Sequence, residues 1–177
     1  MPGDINTKLI PLIEKKTSRK LNKGFGFSYV PDIVKLGSVI HDFENPDVII
    51  IGSSDKKSST ETKSLYQLIP TYCLNNTPIL EMTIEEAEIS KISLNAYLVS
   101  KISFGNFISN LCEDIDNVNV DNITNAIGFH KPISHLFLKG GLSFGGTCFP
   151  RDTWTFIELA KRFGLDAKQL LATDEIN

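Results

Sequence analysis

The stretch PDVIIIGSS, residues 46–54, is an unbroken β-branched run closed by glycine and serine. A run of this kind fits a strand covered on both faces, as in parallel sheets. After it, SSTETKSLYQLIPTYCL offers a Ser/Thr cluster suited to capping and then apolar residues at helical spacing, and TPILEM, residues 77–82, gives a second short apolar strand. Strand, helix and strand within about thirty-five residues make a βαβ unit, the building block of a parallel sheet. Upstream, GFGFSYV, residues 24–30, reads as another strand, and TKLIPLIEKKT, residues 7–17, as a helix around a proline. No Gly-x-Gly-x-x-Gly follows a first strand, so only the last part of a dinucleotide-binding sheet is expected.

The pattern changes over residues 84–114, IEEAEISKISLNAYLVSKISFGNFISNLCED, to one long uninterrupted helix. Thr83 and Glu86 have the spacing of a capping box at its start. Its apolar residues point in nearly every direction, and a helix apolar all round must be covered all round. A second copy of the chain would cover one face, so a homodimer through this helix is expected. Glu88, Lys91 and Asn95 form a polar stripe on it. Beyond lie a short helix in VDNITNAIG, stopped by Gly128, an amphipathic helix in DTWTFIELAKRFG from Asp152 to a glycine stop, and the start of a last helix in DAKQLLATDEIN.

Composition excludes several functions. The 177 residues, 41% hydrophobic and 22% charged, suit one large globular domain or two small ones. A formal net charge of −3 argues against nucleic acid as a partner, because affinity for phosphate backbones comes from clustered Lys and Arg. No apolar run approaches the ~20 residues that span a bilayer, and MPGDINTK is not a signal peptide, so no membrane association and a cytoplasmic location are expected. Cys73, Cys112 and Cys148 are widely spaced without a CxxC, and His130 and His135 lack a Cys or acidic partner at matched spacing. Neither a disulfide framework nor a metal site is indicated.

The segment FLKGGLSFGGTCFPRD, residues 137–152, holds four glycines in seven residues, Gly140, Gly141, Gly145 and Gly146, and places Cys148 just before the expected helix at Asp152. Glycine lets a ligand approach the main chain closely, and a helix N-terminus favours a thiolate. That is one reading of the cysteine, as a nucleophile. In the other, it is a small buried hydrophobe in a tight turn. The segment alone does not separate the two.

Four motifs in order carry a more specific signal: E-A-E-x-x-K-x-x-x-N at 86–95, K-I-S-F-x-N at 101–106, A-I-G at 126–128, and F-L-K-G-G-L-x-F-G-G-x-C-F-P-x-D at 137–152. Together they resemble the UDP-glucose/GDP-mannose dehydrogenase family, and LGSVIHDFENPDVIIIG, residues 36–52, is similar to the end of that family's NAD-binding domain. The resemblance implies an α/β chain. Residues 1–82 would be the C-terminal part of a Rossmann-like parallel sheet, and residues 83–177 an all-α central domain with one long helix, without the front half of the NAD site or the nucleotide-sugar domain. It implies NAD as cofactor and a nucleotide-sugar substrate, oxidised from alcohol to carboxylate in two steps. It implies Cys148 as the nucleophile that holds the aldehyde, Asp152 as base through a water, and Lys91 with Asn95 on the oxyanion. Phe137, Lys139, Gly141, Phe144 and Gly145 would contact the substrate.

The chain departs from the family pattern at three places. VPDIVKLGS stands where N-P-E-F-L precedes G-S, so Asp32 replaces a glutamate implicated in thioester hydrolysis, and Leu36 replaces a second acid. Pro132, beside Lys131 and His130, stands where many relatives have an arginine that reaches the partner's sugar site. Two other readings compete: a dimerisation scaffold that kept the long helix and lost the chemistry, and a thiol hydrolase with His130 or His135 as base.

Overall fold

The computed structural model describes residues 1–69 and 76–177, in two compact units, Met1–Lys91 and Ile92–Asn177. In the first unit a five-residue π turn, Ile5–Leu9, runs into helix α1, Ile10–Thr17. Pro11 lies in the first turn of α1, directly after the π turn, which closes with the Ile10 N–H donating to the Ile5 carbonyl. The unit continues through β1 (Ser28–Tyr29), α2 (Val39–Glu44), β2 (Ile49–Ser53), α3 (Lys56–Gln67) and β3 (Ile79–Met82). The sheet order is β1-β2-β3, with β1 antiparallel and β3 parallel to the central β2. The parallel register runs from Ile49 opposite Ile79 to Gly52 opposite Met82. The βαβ unit read from the sequence is therefore present, and Ile49, Ile50 and Ile51 are buried as a two-sided strand requires. Val30, Tyr66, Ile69 and Ile79 pack on Ile49 and Ile51.

Two local expectations in this unit are corrected. Only Ser28 and Tyr29 of GFGFSYV pair as a strand, because the preceding residues close a turn through Asn22 N–H to the Phe25 carbonyl, with Asn22 at φ +59. Helix α3 is capped by the Asp55 carboxylate, which accepts from Ser58 N–H at 2.7 Å, so Ser58 and Ser59 lie inside the first turn rather than before it. The segment that contains Cys73 falls outside the described residues.

Glu81 ties α3 to β3. Its carboxylate accepts from Lys56 Nζ and Lys63 Nζ at 2.8 Å each and from Ser59 Oγ. These bonds, with Lys56 foremost, hold the carboxyl down at about 2. A depressed folded pKa contributes stability that is complete above the unfolded value, near 4.5, and is lost as pH falls through the folded one. Glu81→Gln is expected to be less stable than the unmodified protein at neutral pH in urea unfolding, with the gap closing between about pH 4.5 and pH 2. An unchanged gap across that window would contradict this account of the ion cluster.

Helix α4, Ile84–Glu113, starts in the first unit and continues through the second. The capping box forms as expected: Glu86 Oε2 accepts from Thr83 N–H at 2.7 Å, and Thr83 Oγ1 accepts from Glu86 N–H at 3.2 Å. Ala87, Ile92, Ala96, Val99 and Ile108 are buried, whereas Ile89, Tyr97, Phe104, Phe107 and Leu111 are exposed. One chain thus covers one side of the helix. Glu88, on the polar stripe, accepts from Gly3 N–H at 2.8 Å and has a structural partner in the first unit.

In the second unit α4 is followed by α5 (Val120–Gly128), α6 (Phe149–Arg162) and α7 (Lys168–Ile176). The Asn119 side chain caps α5. Gly128 does not end that helix through a left-handed cap, since Phe129 at the cap is right-handed at φ −66. Its role is packing: a Cβ there would sit 2.6 Å from His135 Nδ1 and 3.2 Å from His135 Cα. Gly164 is the stop the sequence suggests, at φ +69, with Leu165 N–H donating back to the Ala160 carbonyl. Helix α6 begins at Phe149, three residues earlier than expected, because Pro150 is preorganised for a first turn. No helix of the described residues is long and apolar enough to cross a membrane.

Candidate active site

Cys148 occupies the N-cap position of α6, and its carbonyl accepts from Asp152 N–H at 2.8 Å in the helix's first turn. The cysteine is exposed, which sets aside its reading as a small buried hydrophobe. Its thiol lies 3.7 Å from the Thr147 hydroxyl. One turn along the helix, Asp152 points inward and is only 5% exposed. Its Oδ2 accepts from Asn95 Nδ2 at 2.7 Å, across 57 residues of sequence, and Asn95 is itself 6% exposed. Its Oδ1 accepts from Arg151 Nε at 2.9 Å, and the carboxylate holds the Arg151 guanidinium above its usual value. A buried carboxylate met by two donors keeps a fixed orientation.

The fold therefore joins Asn95 on α4 to Asp152 on α6 and puts Cys148 at the start of the latter. Lys91 precedes Asn95 by one helical turn on α4. Within the first unit, Lys91 Nζ donates to the Asp32 main-chain carbonyl at 2.7 Å, so these two residues are neighbours through the backbone of Asp32. The Asp32 side chain is exposed. Its loop is pinned by Asp42, which accepts from Lys35 N–H and Ser38 Oγ at 2.9 Å each. The Lys35 N–H is the main cause that keeps the Asp42 carboxyl below the usual carboxylate range. Tyr66 lies near Asp32, and burial, then that carboxylate, push its phenol up.

The five residues expected to touch substrate are spread along the glycine-rich loop. Phe137 is half-buried at φ +63, Lys139 and Gly145 are exposed, Gly141 donates its N–H to Asn106 Oδ1 at 3.0 Å, and Phe144 is buried against Phe149 edge to face. The loop rests directly on α4: a Cβ at Gly105 would stand 2.6 Å from the Lys139 carbonyl oxygen, so no larger residue fits without moving the loop.

Several residues with evident structural work had no role assigned from sequence. Lys101 Nζ donates to the Ile133 carbonyl at 2.8 Å and the Ser134 carbonyl at 3.3 Å, and Asn106 takes the Gly141 N–H. Both belong to the K-I-S-F-x-N motif, where their five-residue separation was the available signal. Arg151 fell on a variable position of the cysteine motif, and nothing in the sequence marked it.

Comparison with known proteins agrees with these motifs. Residues 85–177 match the model of the UDP-glucose/GDP-mannose dehydrogenase family, central domain, and residues 1–70 match that family's NAD binding domain. UDP-glucose 6-dehydrogenase TuaD of Bacillus subtilis is 33% identical, an alignment covering 98% of this chain and 38% of the relative. UDP-glucose 6-dehydrogenase AglM of Haloferax volcanii is 32% identical over 94% of this chain and 38% of its own length. Among solved structures, a UDP-glucose dehydrogenase from the hyperthermophilic archaeon Pyrobaculum islandicum superposes with a TM-score of 0.85 at 30% identity, covering 99% of this chain and 38% of that one. The chain thus spans a little over a third of the length of these relatives. With its two units matched in order by the family's two domain models and its cysteine motif intact, the chain belongs to the UDP-glucose/GDP-mannose dehydrogenase family.

Proposed function

We propose that this chain supplies catalytic residues of an NAD-dependent nucleotide-sugar 6-dehydrogenase that oxidises a UDP-glucose-like substrate in two steps to the uronic acid. The observation that carries the reading is the buried Asn95–Asp152 hydrogen bond, 2.7 Å long, one helical turn from an exposed Cys148. A scaffold gains nothing from an exposed thiol at a helix start above a buried carboxylate.

The parallel β2–β3 pair with crossover helix α3 fits the outer part of a dinucleotide-binding sheet, whereas no Gly-x-Gly-x-x-Gly cradle occurs in these 177 residues. When bound, NAD supplies the hydride acceptor for each oxidation. The roles of the chain's own residues follow from their chemistry. Asp152 takes the alcohol proton through a water as the hydride leaves carbon, and Lys91 with Asn95 stabilises the developing oxyanion. The Cys148 sulfur then adds to the aldehyde carbon, forming a C–S bond and a thiohemiacetal while the thiol proton passes to the oxyanion. Loss of the second hydride, with the thiohemiacetal hydroxyl proton passing to solvent, leaves a thioester, and water cleaves its C–S bond to release the carboxylate, the thiol and a proton. Asp32 is assigned to this hydrolysis, and Phe137, Lys139, Gly141, Phe144 and Gly145 to the nucleotide sugar. The domain division that goes with this reading is residues 1–82 for the cofactor side and 83–177 for the central domain.

The exposed Ile89, Tyr97, Phe104, Phe107 and Leu111 on α4 support a homodimer through that helix. Sedimentation of the protein at micromolar concentration should give a dimer, and a stable monomer would count against it. The activity is tested on the native protein at the length the cell makes it, with UDP-glucose and NAD. Two NADH per sugar are expected, with Lys91→Ala slowing both oxidations by about 10²-fold. No NADH from any nucleotide sugar, or an unimpaired Lys91→Ala, would refute the assignment.

A further inference from the structure

The glycine-rich loop is held by two primary amides that have no place in the chemistry above. Asn106, buried on α4, accepts the Gly141 N–H at 3.0 Å. Three residues on, Phe144 is gripped at both main-chain groups: its N–H donates to Asn177 Oδ1 at 2.6 Å, and its carbonyl accepts from Asn177 Nδ2 at 3.1 Å. The Asn177 side chain thereby imitates a neighbouring strand. Ser143 Oγ donates to the Asn177 carbonyl beside it. The Phe144 ring, fixed by this grip, meets the Phe149 ring edge to face at 6.3 Å between centroids, and Phe149 directly follows Cys148.

Such anchors are needed here. Fixing a residue's backbone costs conformational entropy, and glycine has the most freedom to lose. A segment with Gly140, Gly141, Gly145 and Gly146 would otherwise sample many shapes, carrying Cys148 with it. The close contact at Gly105 sets the distance between loop and helix, but gives no directional bond that fixes the loop's rotation.

We propose that Asn106 and Asn177 are positioning residues, a two-point amide clamp that holds residues 141–144 in one conformation and so places Cys148. The consequence for substrate rests on the dehydrogenase reading above; the clamp itself does not. Hydrogen exchange, read by mass spectrometry on the full chain, tests it. Asn106→Leu and Asn177→Leu should each speed exchange of a peptide covering residues 138–148 by about tenfold or more, while a peptide covering β2 stays at its original rate. Asn106→Asp, which keeps an acceptor oxygen toward Gly141, should exchange close to the unmodified rate. Unchanged exchange in the loop, an equal rise in β2, or an Asn106→Asp variant as fast as Asn106→Leu would each overturn the clamp. In the native protein, Asn106→Leu should lower kcat for formation of the acid about tenfold with a smaller change in KM, as displacement of Cys148 requires. If the unmodified protein shows no turnover, the dehydrogenase reading fails while the exchange result still decides the clamp.

Discussion

Cys148→Ser is expected to end turnover to the acid, lowering its rate by about 10³-fold or more, which corresponds to about 4 kcal/mol of barrier. The loss comes from the second half of the reaction. An aldehyde has no further hydride to give until a nucleophile adds to its carbon, and a serine hydroxyl at the exposed N-cap position of α6 is far less nucleophilic than a thiol. Any ester it did form would hydrolyse more slowly than the thioester. On the proposed mechanism the first oxidation calls only on Asp152, Asn95 and Lys91, so it should survive in part. NADH per sugar should therefore fall from two toward one, and a carbonyl trap such as hydroxylamine should capture the aldehyde. Two NADH per sugar at the unmodified rate would remove Cys148 from the mechanism and return the thiol to an unassigned surface group.

The buried Asn95–Asp152 pair predicts a large effect on stability, measured without substrate. Asn95→Leu leaves the Asp152 carboxylate, 5% exposed, without the amide that meets Oδ2, and depriving a buried charged acceptor of its donor costs about 3 kcal/mol. Arg151, whose side chain is largely exposed, cannot make good that loss from the other oxygen. Asp152→Leu should cost less, about 2 kcal/mol, because it strands an amide rather than a charge. The double variant should lose less than the sum of the two, since neither residue leaves the other unpaired. Urea unfolding of the four proteins gives the cycle. Single variants within about 0.5 kcal/mol of the unmodified protein, or strictly additive losses, would show that the pair contributes little.

Much of the first unit could be read directly. Ile49, Ile50 and Ile51 announce a strand buried on both faces, and the Thr83–Glu86 spacing announces the start of α4 within one residue. Both signals are local: a strand's burial pattern and a capping box lie within a few residues of each other. Errors arose where one local cue had two uses. The serines at 58 and 59 looked like caps, but Asp55 precedes them and is the stronger acceptor at that position. Gly128 looked like a helix stop, but its missing Cβ makes room for His135.

The candidate site divides the same way. Its residue types were legible in the motifs around Lys91, Asn95, Cys148 and Asp152, and the resemblance to relatives gave them roles. The bond between Asn95 and Asp152 spans 57 positions, that between Asn106 and Gly141 spans 35, and that between Asn177 and Phe144 spans 33. By itself, then, the sequence determined the parallel strand pair, the long capped helix and the family, because periodicity, caps and motifs act over a few residues. Only the tertiary structure decided that Cys148 is the exposed N-cap of α6, that Asp152 is buried against an amide, and which side chains hold the glycine-rich loop. Those depend on how helices α4 and α6 pack, and packing brings together residues that no local pattern relates.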